Sequence, residues 1–113
     1  MIRISFYKTE GLFTGFSCRG HSGYSSSGSD IVCAAVTSAV RLTECSLNDV
    51  YRLEADVFVS EDQAEIRISI PSGSSGEKAR CADNVISSLY IHLSALSGEY
   101  PNNIEVKEIK RHA

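Results

Sequence analysis

Apolar and polar positions alternate from the start of this chain. Ile2, Ile4 and Phe6 fall on one side of a segment over 2–8, with the two-residue period of a half-buried strand. After Thr9-Glu10-Gly11, the segment 12–19 places Leu12, Phe16 and Cys18 on one side, and the pair predicts a β-hairpin. A Ser/Gly stretch from Gly20 to Ser29 follows. Beyond it Val32, Val36, Ala39, Thr43, Leu47 and Val50 recur at helical spacing, with Asp30 standing before them as a helix N-cap does.

Alternation returns at Leu53, Ala55, Val57 and Val59 and, across the polar turn Ser60-Glu61-Asp62-Gln63, at Ala64, Ile66, Ile68 and Ile70, which predicts a second hairpin. A Gly/Ser loop over 71–76 leads into a second helical stripe, Ala82, Val85, Ile86, Leu89, Leu93 and Leu96, running to about Gly98. Tyr100-Pro101-Asn102-Asn103 breaks that helix, and Ile104 and Val106 mark a short last strand. The order β-β-α-β-β-α-β predicts an α+β two-layer sandwich, an antiparallel or mixed sheet of about five strands with two helices on one face. Before Asp49 the first helix carries only Arg41 and Glu44 as charges, so the sheet or a partner chain should cover much of it, and a homodimer is expected.

Composition adds limits. At 113 residues, 42% hydrophobic and 22% charged, the chain suits one folded domain, 1–113, rather than a disordered segment. The longest apolar run, Ile31 to Val36, is far shorter than the ~18 residues of a membrane span. No export signal precedes the first strand, so a cytoplasmic protein without a membrane partner is expected. With a net charge of −3 and no basic cluster, nucleic acid is not an expected ligand. Lys107, Lys110 and Arg111 alternate with Glu105 and Glu108, as on a solvated strand edge. The four cysteines, Cys18, Cys33, Cys45 and Cys81, form no C-x-x-C pair, so free thiols and no metal or other cofactor are expected.

The segment 20–37 carries the chemistry. With Asp30 as cap, Cys33 lies in the first helical turn, where backbone N–H groups lack intrahelical partners and their partial positive charge favours a thiolate. The Asp30 carboxylate opposes this unless capping N–H groups or His21 take up its charge. His21 stands at the end of the second strand, and Gly23 and Gly28 let the intervening loop turn sharply or admit another chain. A cysteine nucleophile and a histidine base on rigid elements make a thiol hydrolase. A helix cysteine and a strand-end histidine with purely structural roles satisfy the same pattern.

The string Gly20-His21, a Gly-rich insert with Gly28, and Asp30-Ile31-Val32-Cys33-Ala34 resembles the signature of the bacterial ribosomal-processing cysteine protease family, Prp. The resemblance implies a cysteine endopeptidase with a Cys-His dyad that removes the N-terminal extension of large-subunit ribosomal protein L twenty-seven. It makes Cys33 the nucleophile and His21 the general base and acid. Asp30 then caps the helix, a role favoured over orienting His21, and first-turn N–H groups, that of Cys33 included, serve the oxyanion. Thr37 lies one turn beyond Cys33 where the family usually has serine; a helix back-bond is its plainer role, and Ser38 is the neighbouring candidate. Ser22, Gly23, Tyr24 and Gly28 belong to a loop over 22–29 that orders over a bound peptide.

Other candidates carry less. His92 reads as the tip of a partly covered helix position, His112 as part of a disordered end, and Cys18, Cys45 and Cys81 as small core residues. The 72–76 loop lacks Walker spacing. Two competing functions remain at this stage: a non-catalytic ribosome-assembly binding module using the same groove, and a thiol redox sensor with Cys18 as resolving partner.

Overall fold

A computed structural model describes residues 1–112 apart from Ser27 and Ser29. β1 (Ile2–Thr9) and β2 (Leu12–Arg19) form the first hairpin, followed by α1 (Ile31–Glu44), which runs into a π-helical turn, Cys45–Val50. β3 (Asp56–Ser60) and β4 (Glu65–Ser69) form the second hairpin, and α2 (Gly76–Glu99) and β5 (Ile104–Arg111) complete the chain. The strands make one mixed sheet in the order β3-β4-β2-β1-β5, and only the β1–β5 pair is parallel. The α+β class and the element order are as predicted.

The core lies between the sheet and the helices because the periodicities place it there. Ile2, Ile4 and Phe6 from β1 and Ile68 from β4 meet Val32, Val36 and Val40 from α1 and Ala82, Ile86, Leu89 and Leu93 from α2. Phe6 is fully buried and packs edge-on against Phe13 and Tyr90, with ring centroids 5.8 and 5.1 Å away. Burying such a ring contributes about 1.5–3 kcal/mol.

Five local expectations are corrected. On β2 Phe13, not Leu12, faces the core with Phe16, because the β1–β2 register shifts between Tyr7 and Lys8. Gly15 pairs with Tyr7 and Phe13 with Lys8, leaving Thr14 as the extra residue of a bulge, whose carbonyl accepts the Ile70 N–H at 2.8 Å. Cys45 is exposed rather than core, since it opens the π-helical turn, in which Leu47 carries the burial. His92 is exposed on α2. β5 is not short: it pairs with β1 over eight positions, Ile2↔Ile104 to Thr9↔Arg111, and this pairing places the chain up to Arg111, with His112 next to it rather than in a disordered end. Part of α1 stays uncovered, with Ile31 and Leu42 58% and 67% exposed.

Candidate active site

Two elements present the site. β2 ends at Arg19, and Gly20, at φ +99°, turns the chain out of the sheet; its N–H reaches the Ala64 carbonyl at 3.0 Å. A Cβ at Gly20 would lie 2.6 Å from the Met1 carbonyl oxygen, so this turn requires glycine. His21 follows, exposed, with no hydrogen bond among the described residues. From the other side α1 begins at Ile31 and brings Cys33 into its first turn.

Asp30 is the N-cap. Its Oδ1 accepts the N–H groups of Val32 at 3.0 Å and Cys33 at 2.9 Å, and its backbone carbonyl accepts that of Ala34 at 3.1 Å. The second carboxylate oxygen accepts the Ser22 hydroxyl and, at 3.4 Å, the Ser25 N–H. The Ser22 hydroxyl and then the Cys33 N–H hold the Asp30 carboxyl down at about 2. The expected cap is therefore made, and no bond from Asp30 to His21 is found. The Val32 and Cys33 N–H groups are taken by the Asp30 carboxylate and that of Ala34 by the Asp30 carbonyl, so the Cys33 N–H expected to serve the oxyanion is engaged in this structure.

Cys33 Sγ accepts the backbone N–H of Ser22 at 3.3 Å. Ser22, which the sequence offered only as a small loop residue, is 1% exposed. Its Oγ also accepts the Tyr24 N–H at 3.1 Å, and its carbonyl accepts Asn103 Nδ2 at 2.9 Å. Tyr24 leans edge-on against Tyr100, centroids 5.6 Å apart, and is half-exposed. Gly23 and Gly28 take left-handed backbone, φ +71° and +93°. Ser27 and Ser29, within the predicted substrate loop, lie outside the described residues.

His21, Ser25, Gly28, Asp30 and Cys33 line one open groove of about 750 Å³, whose wall along α1 is Ala34, Thr37, Ser38 and Arg41. Thr37 thus sits on the groove without a back-bond; Thr43 makes that bond instead, to the Ala39 carbonyl at 2.9 Å. Gly20, Ser22, Gly23 and Tyr24 shape the loop without lining the groove. Ser25 lies within the predicted 22–29 loop, whereas Arg41 was missed, although it is eight residues past Cys33, a spacing close to two helical turns. Cys18 is packed against the core, and burial, with the like charge of Cys33 second, pushes its thiol up to about 11. A second hollow of about 540 Å³, beside Thr9, Ser72, Gly73 and Arg111, contains none of the predicted site residues. Among the described residues no three His, Cys, Asp or Glu side chains stand close enough to hold a metal ion, and no helix is long and apolar enough to cross a membrane.

The fold and groove define a small two-layer α+β domain with a cysteine and a histidine on the rim of one cleft. The chain belongs to the cysteine protease Prp family, whose model matches residues 1–105, and is accordingly a cysteine protease, a hydrolase. Its fold is similar to that of the essential ribosomal processing protease Prp of S. aureus solved with a covalently linked product peptide (TM-score 0.84, 19% identity, 96% of this chain and 99% of that one). It is also similar to the S. aureus protease with a substrate peptide (0.80, 17%, 96% and 99%). A Streptococcus mutans protein is similar as well (0.84, 20%, 98% and 96%). At these identities the likeness is one of fold. No curated protein matches the chain.

Proposed function

We propose that this protease removes the N-terminal extension of ribosomal protein L twenty-seven, with Cys33 as nucleophile and His21 as general base and acid. The observation that carries the reading is that Cys33 and His21 line one groove, each on a differently anchored element. The Cys33 thiolate attacks the scissile carbonyl carbon, and the carbonyl electron pair moves to oxygen. Collapse of that intermediate breaks the C–N bond as the His21 imidazolium gives its proton to the leaving amine. Neutral His21 then takes a proton from water, whose oxygen attacks the thioester carbon; the C–S bond breaks, releasing the acid product and returning the Cys33 thiolate and the His21 imidazolium. Asp30 fixes the helix start that aims Cys33, Thr37 and Ala34 form the wall beside the substrate chain, and Gly20 sets the direction of His21. The loop of Ser22, Gly23, Tyr24 and Gly28 closes over the bound peptide.

The similar S. aureus structures, of a ribosomal processing protease with product and with substrate peptides, support a peptide substrate from a ribosomal protein. The setting is the cytoplasm, and the acting form is a homodimer, for which the uncovered Ile31 and Leu42 on α1 speak. Incubation with full-length L twenty-seven bearing its extension is expected to give one cut, abolished by Cys33→Ala and by His21→Ala. Cleavage by Cys33→Ala at the wild-type rate overturns the assignment.

A further inference from the structure

Among the described residues the sulfur of Cys33 has one hydrogen-bond donor from outside its own helix, the Ser22 N–H at 3.3 Å, and the position of that donor is set by other contacts. The Ser22 side chain is tied to Asp30, and its carbonyl is held by Asn103 Nδ2 at 2.9 Å, from a residue 81 positions away in sequence. Asn103 is itself fixed. Its carbonyl accepts the Ile2 N–H at 2.8 Å and its N–H donates to the Tyr100 carbonyl at 3.0 Å, so it is locked between the start of β1 and the end of α2. Beside it Tyr100 meets Tyr24 edge-on, a second contact between the same turn and the same loop.

Ser22 is fully buried, so its carbonyl has no solvent to replace a lost donor; that carbonyl and the Ser22 N–H lie in adjoining peptide units hinged at one Cα, so a residue that shifts to satisfy the carbonyl carries its N–H with it. A donor aimed at a sulfur favours the anion over the thiol, because a hydrogen bond to a charged acceptor is stronger than one to a neutral acceptor. We propose that Asn103 is a positioning residue for the nucleophile. Its amide anchors the Ser22 carbonyl and so fixes the Ser22 Cα from which the N–H in the preceding peptide unit points at Cys33 Sγ, and the turn between α2 and β5 thereby sets the reactivity of a thiol on α1. The inference rests on the reading of Cys33 as nucleophile.

The test is Asn103→Asp, which keeps the shape and replaces the donor by an acceptor facing the Ser22 carbonyl. Alkylation of Cys33 by iodoacetamide, followed by peptide mass spectrometry, is expected to slow about fivefold at neutral pH, the factor one ordinary hydrogen bond represents. The pH profile of alkylation is expected to move to higher pH, and kcat to fall with KM little changed. Asn103→Gln, which keeps a donor, should recover part of the rate. If Asn103→Asp does not fold, Asn103→Ser, too short to reach the carbonyl, reads the same loss. An unchanged alkylation rate and profile in a folded variant overturns the proposal, as does a slower rate that follows a lowered Tm with the profile unmoved. Alkylation needs no substrate, so cleavage by Cys33→Ala would defeat the nucleophile assignment separately.

Discussion

Gly20→Ala isolates the contact that joins the sheet to the site. The position has φ +99°, and an added Cβ falls 2.6 Å from the Met1 carbonyl oxygen, well inside ordinary contact. Left-handed backbone costs a residue with a side chain about 1–2 kcal/mol, and forcing extra volume against a fixed neighbour costs about 1–3 kcal/mol more. The neighbour resists movement because the next residue, Ile2, donates its N–H to Asn103 and pairs with Ile104. A total near 3 kcal/mol, with a urea m-value of about 1.5 kcal/mol/M, lowers the unfolding midpoint by about 2 M. Gly23→Ala is the control: φ is +71°, but nothing lies within 4 Å of its Cβ, so only the backbone cost remains and the midpoint falls by about 1 M. Both midpoints are read by circular dichroism in urea. Equal losses in the two variants, or no loss in Gly20→Ala, would refute the claim that the Met1 carbonyl dictates glycine there. Because His21 follows Gly20 directly, cleavage by Gly20→Ala should also fall further than its unfolded fraction explains.

Asp30→Asn should destabilise the protein at neutral pH by an amount that disappears in acid. The folded carboxyl ionises near 2 against an ordinary value of 3.8, so its contribution is complete above the ordinary value and is lost as pH falls through about 2. Thermal melts of the two proteins from pH 6 to pH 2 check this; a gap in Tm that stays constant over that range contradicts it. Iodoacetamide at pH 8 should label the exposed Cys45 readily and spare Cys18, whose thiol burial pushes to about 11. Peptide mass spectrometry reads the order, and labelling of Cys18 as fast as Cys45 is the contrary result.

What the sequence disclosed depends on how far each interaction reaches along the chain. The cap of α1 was legible because an N-cap is settled within three residues, and Asp30 bonds Val32 and Cys33 as that rule requires. The faces of β1 and α2 were legible because their apolar positions keep one period throughout. Phe13 was not, since the bulge that turns it inward is decided by pairing with Tyr7 and Lys8 and by the bond from Ile70 to Thr14. Nor was the parallel β1–β5 pairing, because an amphipathic strand carries no sign of its neighbour. At the site, Cys33 and His21 stood out by residue type and spacing. Ser22 and Asn103 did not, because a buried serine in a serine-rich loop and an asparagine in a helix-ending turn look ordinary until the fold brings them within 2.9 Å.

The same bonds answer the conflict that the sequence raised between a thiolate and a carboxylate three residues before it. A free Asp30 charge beside Cys33 would disfavour the anionic sulfur. In the fold, one oxygen of that carboxylate is held by two helix N–H groups and the other by the Ser22 hydroxyl and the Ser25 N–H, so its charge is spread into donors pointing at it from both sides. The helix start consequently gives up its strongest donors to the cap rather than to the sulfur, and the sulfur takes its donor from the loop instead. Loop and helix are thus joined through one residue, Ser22, whose hydroxyl serves the cap while its N–H serves the thiol. A carboxylate at the cap is compatible with a reactive cysteine here because that serine is buried and fully bonded. The Val32 and Cys33 N–H groups, which carry part of the helix's partial positive charge, are engaged by the cap, so the loop donor adds to what the helix start offers the sulfur.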